Sequence, residues 1–174
     1  MFAFEHWGVT PDILLTSKSL AGGYAPLAAV TARENIYHTF STDPLMGGFR
    51  HGHTNSGHAA CCAAALAVLD IIDNEGLVSN AATRGNELLA GLALNLAKVP
   101  CVLEIRGKGL LIGIEFSTET PQAAEKIATE ARTNGLLVRY QDNIITIAPP
   151  LIISRTEVDM VSDILHAAVH RVIG

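Results

Sequence analysis

The apolar positions of the first part of the chain come as short continuous runs between glycine, proline and polar segments. PDILLTS predicts a short buried strand, bounded by Pro11 and by the turn-forming residues after Lys18. PLAAVTA predicts a second strand, and the polar residues from Arg33 open a helix reaching Phe40. Residues 41–55, STDPLMGGFRHGHTN, carry the glycine, proline and polar content of a loop. From Ser56 to Asp73 the run SGHAACCAAALAVLDIID is almost wholly apolar and alanine-rich, which predicts a long helix buried on most sides. Asn55 or Ser56 is placed to cap its start and Gly76 to end it.

A second helix is predicted over Val78 to Ala97, where Leu88, Leu89, Leu92 and Leu96 recur at helical spacing. Beyond Pro100 the texture changes. VLEIRG and LLIGIEF read as strands joined around Gly107 and Gly109, TPQAAEKIATEARTNG as a helix ending at Gly135, and LLVRY and IITIAPP as two further strands. SRTEVDMVSDILHAAVHRVIG closes the chain as a helix, with Ser154 and Glu157 in the capping-box spacing. The pattern is α/β, with two lobes expected: residues 1–76, and residues 77–174 as a small domain of order ββαββα after its leading helix.

Composition narrows the function classes. The 174 residues are 49% hydrophobic and 17% charged with a net charge of −5, the profile of a soluble globular protein with a substantial core. No basic run offers a nucleic-acid footprint. No apolar run approaches the roughly 20 residues of a membrane span. Glu5 and His6 interrupt any signal-peptide pattern at the start. Cys61, Cys62 and Cys101 lack metal-ligand spacing, so no metal is expected and a reducing cytoplasm is the simplest setting. His51, His53 and His58 have no carboxylate or cysteine partners at ligand spacing, and His166 and His170 read as a helix surface. Arg106 reads as a brace of the small domain, and GKGLLIG lacks the lysine–hydroxyl ending of a nucleotide loop.

The chemistry centres on LLTSKSLAGGYAPLAAV, where Lys18 sits between an apolar strand and Gly22-Gly23. A lysine amine becomes a nucleophile when it is partly withdrawn from water, which lowers its pKa from about 10.4 toward roughly 7 to 8. Glycines after it let the backbone pass close to a bound ring. RHGHTNSG offers hydroxyls, backbone N–H groups and a helix start, all suited to a phosphate. An aldehyde cofactor with a phosphate handle fits both halves, which points to pyridoxal phosphate (PLP) joined to Lys18.

PDILLTSKSLAGGYAPLAAV, HGHTNSGHAACCAAALAVLDII, RGKGLLIGIEF and ITIAPPLIIS, in that order, resemble four blocks of the class III PLP-dependent aminotransferases of fold type I. The resemblance spans nearly all of the chain. It implies that Lys18 forms the Schiff base and shuttles the proton, and that Thr54 contacts the cofactor phosphate, usually on the neighbouring subunit of a homodimer. Residues 1–76 would then be the end of the PLP-binding large domain and 77–174 the small C-terminal domain. The family's Asp-Glu pair for the pyridine nitrogen, its earlier phosphate-binding turn and its covering aromatics are not found in the 174 residues. The chain therefore resembles only the C-terminal portion of such an enzyme, expected to be inactive alone and complete in a longer chain or an assembly.

Substrate class follows from one comparison within that resemblance. The ornithine-type branch has an arginine in the strand before Pro-Pro, and here that position is Thr146. Arg139 lies in LLVRYQDN, as in the ω-amino acid and amine:pyruvate branch, where an arginine meets the acceptor carboxylate. The expected reaction moves an amino group between an amine or ω-amino acid and a 2-oxo acid such as pyruvate. Two alternatives stand beside it: a non-catalytic remnant serving as a dimerisation or binding module, and a PLP aminomutase on the same scaffold.

Overall fold

A computed structural model describes every residue except Met46 and Gly174. The backbone divides into two compact units, residues 1–75 and 76–174.

The first unit opens with a 3-10 turn, Ala3–Trp7, in which Phe2 and Phe4 stack with ring centroids 5.7 Å apart. Strands β1 (Ile13–Thr16) and β2 (Ala29–Ala32) pair antiparallel, with Ile13 opposite Ala32 and Thr16 opposite Ala29. Arg33 ties the far end of this ribbon together. Its N–H donates to the Asp12 carbonyl at 3.0 Å, and its guanidinium reaches the Thr10 carbonyl at 2.8 Å and the Asp12 carboxylate at 3.2 Å. A second 3-10 turn, Lys18–Ala21, links the strands. Helix α1 (Glu34–Thr42) follows β2, and α2 (Ala59–Asn74) completes the unit.

Helix α2 forms where its alanine content predicts, and left-handed Gly76 (φ 62°), directly after the C-cap, ends it as expected, but its start and surroundings differ. The N-cap is His58, whose Nδ1 accepts from the Cys61 N–H at 3.4 Å, and the C-cap is Glu75. Neither Asn55 nor Ser56 caps it, because both are held in the preceding turns. Nor is the helix buried on most sides: only Ala65 is, while Leu66 and Ile71 are exposed. The same holds for β1, where Ile13 and Leu15 are exposed and Leu14 is half-buried. Among the described residues of this unit only Ala21 and Ala65 are fully buried, so its apolar strand and helix have little cover from each other.

The second unit holds the core. Helix α3 (Leu77–Leu96) lays Leu88, Leu92 and Leu96 along one buried face, the i, i+4, i+8 stripe of an amphipathic helix. Strands β3 (Val102–Lys108), β4 (Leu111–Phe116), β5 (Arg139–Gln141) and β6 (Ile144–Ile147) form an antiparallel sheet in the order β3-β4-β6-β5. Alternation puts Ile112, Ile114, Phe116, Ile145 and Ile147 on the buried face, against α3, α4 (Ala123–Thr133) and α5 (Arg155–Ile173). Helix α3 approaches the β3–β4 turn at Gly85, where a Cβ would stand 2.1 Å from the Gly109 carbonyl oxygen; only glycine permits that contact. The capping box of α5 is formed: the Ser154 N–H and hydroxyl both donate to the Glu157 carboxylate at 2.7 Å, and the Glu157 N–H returns to Ser154 Oγ at 3.3 Å. Arg106 bridges Glu104 and Glu115 at 2.6 Å each, a brace across β3 and β4.

Candidate active site

Lys18 lies two residues beyond the end of β1, after Ser17, and its backbone is left-handed, with φ of 54°. A residue with a Cβ takes that conformation at a cost of roughly 1–2 kcal/mol, so the position must be held by its surroundings. The preceding Ser17 is fully extended, and the bonds Leu20 N–H to Ser17 O at 3.3 Å and Gly22 N–H to Ser19 O at 3.0 Å close the turn. Ala21 is completely buried and seats the turn against α2. Gly22 (φ 60°) lies so close that a Cβ there would meet Val68 Cγ2 of α2 at 3.0 Å and the Tyr24 ring at 3.2 Å. Glycine is needed on both counts, conformation and space. The side chain of Lys18 is exposed, and among the described residues its amine has no hydrogen-bond or ion-pair partner. The withdrawal from water expected from the sequence is thus not provided by the first unit.

Thr54 occupies the tip of a tight turn. The Ser56 N–H donates to the His53 carbonyl at 2.9 Å, leaving Thr54 and Asn55 as the two central residues. Ser56 Oγ in turn accepts from the His53 N–H at 2.9 Å. A second turn follows, from the His58 N–H to the Asn55 carbonyl at 3.2 Å, and His58 then caps α2. Thr54 is exposed, and neither its hydroxyl nor its N–H has a partner among the described residues. No hydrogen bond joins it to Lys18. Ser56, one of the hydroxyls of RHGHTNSG and a candidate helix cap, closes the turn instead; its spacing from His53, three residues on, is the sequence signal of that role.

Arg139 begins β5 in the second unit and lies directly opposite Thr146 of β6. Cross-strand partners project from the same face of a sheet. Because Ile145 and Ile147 face the core, Arg139 and Thr146 stand together on the opposite face, and Gly113 of β4 is the next residue in that row. Arg139 is exposed and has no ion-pair partner among the described residues.

Other features fall outside this set. A shallow cleft of about 420 Å³ in the second unit is lined by Ser117, Thr120, Gln122, Glu125, Tyr140 and Asp142, among others. Tyr140 donates to Glu125 there at 3.2 Å, and the nearby Glu125 charge raises the Tyr140 pKa. His166 and His170 meet edge to face at 4.4 Å on α5. Among the described residues no group of three histidine, cysteine or acidic side chains is placed to hold a metal, and no helix is long and apolar enough to cross a membrane.

The α/β chain superposes on solved aminotransferases over 97% of its length, which gives it the fold type I aminotransferase fold. The profile of the class-III aminotransferases matches residues 1–169, and the chain belongs to that family. It is 38% identical to the adenosylmethionine-8-amino-7-oxononanoate aminotransferase of Nitratidesulfovibrio vulgaris, over 97% of this chain and 33% of that protein. A Bacillus anthracis aminotransferase superposes with a TM-score of 0.91 at 35% identity, covering 97% of this chain and 40% of its own. An amine transaminase from an uncultivated Pseudomonas species, solved in a PLP-bound form, gives 0.90 at 39% identity over the same shares. The chain thus spans only about a third to two-fifths of the length of these proteins.

Proposed function

We propose that these residues are the C-terminal part of a PLP-dependent aminotransferase that works as a homodimer in the cytoplasm. It moves an amino group between an amine or ω-amino acid and a 2-oxo acid such as pyruvate. Residues 1–76 belong to its cofactor-binding domain and 77–174 form its small domain. The observation that carries the reading is Lys18: an unpaired amine on a strained left-handed residue, in a turn packed against α2 through buried Ala21. Strain of this kind collects at functional positions.

The donor set fits the cofactor. Lys18 offers a free amine, the Thr54 turn offers an unengaged hydroxyl and N–H, and open space surrounds the Cα of Gly23. Asp12, the acid nearest to Lys18 in sequence, is paired with Arg33 at 3.2 Å, and under this reading the acid for the pyridine nitrogen comes from the rest of the complete enzyme. When bound, PLP supplies an electron sink that makes the hydrogen on the substrate carbon acidic. Lys18 Nζ would hold the cofactor, and as a free amine it would take the proton from the substrate carbon and return it. The Thr54 hydroxyl and N–H would donate to its phosphate. Arg139 pairs with the acceptor's carboxylate, from the same sheet face and the neighbouring strand to Thr146, where the ornithine-type branch would have its arginine. That adjacency favours the amine:pyruvate reading over an ornithine-type one.

Absorbance tests the assignment. In the complete enzyme, added PLP should produce a visible band that borohydride bleaches, and Lys18→Ala should abolish the band. A Lys18→Ala protein with an unchanged, borohydride-sensitive band overturns it.

A further inference from the structure

We infer that Ser56 is a positioning residue for the phosphate site, acting by locking the turn that presents Thr54; this rests on the reading of Thr54 as a phosphate ligand. Both polar backbone groups of His53 are bound by Ser56 alone, the carbonyl by its N–H and the N–H by its Oγ, each at 2.9 Å. Between these two bonds lie Thr54 and Asn55. Every neighbour of the turn from Arg50 to Ala60 is exposed, so packing gives it no support and the hydrogen bonds carry its shape. The backbone bond alone closes a turn that still opens and twists. The second bond, from the His53 N–H, holds the Gly52–His53 peptide; with the carbonyl bond holding the His53–Thr54 peptide, Ser56 fixes the peptides on both sides of His53 and so the direction of the Thr54 N–H. The next turn, from His58 to Asn55, and the His58 cap continue the chain of bonds into α2. A phosphate-binding hydroxyl on an exposed loop is useful only if it is held in place before the ligand arrives, since ordering it on binding weakens affinity. Ser56 supplies that order without touching the ligand itself.

Two measurements on the complete enzyme test this. The first is hydrogen exchange of the segment 50–58 without cofactor. Ser56→Ala should speed exchange there, and Ser56→Thr, which keeps the hydroxyl, should restore protection. The second is PLP affinity by absorbance titration, where Ser56→Ala should weaken binding by about two- to tenfold, the range of one neutral hydrogen bond. Thr54→Ala, measured beside it, should weaken binding while leaving exchange at His53 unchanged. A Ser56→Ala protein with normal exchange, or with normal affinity while Thr54→Ala binds poorly, overturns the role of Ser56 and leaves the phosphate reading standing. Normal affinity in Thr54→Ala overturns the phosphate reading, and with it the positioning role.

Discussion

Of the four lysines, at positions 18, 98, 108 and 126, only Lys18 has a left-handed backbone. The sequence placed it well, at the end of an apolar strand and before Gly22-Gly23, because those neighbours are local features of the chain. Its environment was not legible. Partial burial was expected, yet the side chain is exposed, because burial depends on groups distant in sequence that the first unit does not contain. Arg139 shows the opposite case: LLVRYQDN gave no register, and the pairing with Thr146 emerged only once β5 and β6 were aligned. If Arg139 meets the acceptor carboxylate, Arg139→Ala in the complete enzyme raises KM for pyruvate or alanine by about ten- to hundredfold, as for the loss of a charge-assisted pair. The half-reaction with a simple amine, which has no carboxylate, stays nearly intact. Equal losses for both substrates, read from steady-state kinetics, would make Arg139 a structural residue.

At the scale of elements, the second unit follows its sequence closely. Leu88, Leu92 and Leu96 are buried as their spacing requires, and Ser154 and Glu157 form the expected cap. Close backbone approaches were less legible, since a glycine within a helix does not reveal what lies against it. Propensity alone predicts that Gly85→Ala stabilises α3 by about 1 kcal/mol. The Gly109 carbonyl, 2.1 Å from the new Cβ, reverses the sign. Gly85→Ala should therefore lower stability, by about 1–3 kcal/mol as for other overpacked sites, read as a lower denaturant midpoint. A raised midpoint would show that the helix and turn separate freely.

The cap of α5 also sets a pH dependence. Hydrogen bonds from the Ser154 N–H and hydroxyl lower the Glu157 pKa below its ordinary value. A carboxylate with a lowered folded pKa stabilises the folded state above its unfolded pKa, and that contribution is lost as the pH falls through the lowered value. The Tm of the wild-type chain should exceed that of Glu157→Gln at neutral pH, and the gap should close on acidification through that range. A gap independent of pH would show that the charge contributes nothing to the cap.

For the whole molecule, the contrast between the two units is the main finding. The second has a continuous core of leucine, isoleucine, valine and phenylalanine, whereas the first leaves Leu15 at 75% and Tyr24 at 89% exposure. PDILLTS and the alanine-rich helix have the composition of elements buried on more than one side, and that cover is not formed within residues 1–75. Sequence pattern reports how much an element must bury, not which part of a protein buries it. Under the proposed function catalysis belongs to an enzyme larger than this chain, which spans about 33–40% of the relatives' length. Under the proposed function, what the 174 residues contribute to that enzyme is its lysine. The most direct test is borohydride reduction of the complete enzyme with PLP, followed by tryptic peptide mapping. The label should lie on Lys18, in a peptide that ends at Arg33 and is uncut at position 18. A label on Lys98, Lys108 or Lys126, or on a lysine outside these residues, with Lys18 unmodified, would contradict the assignment.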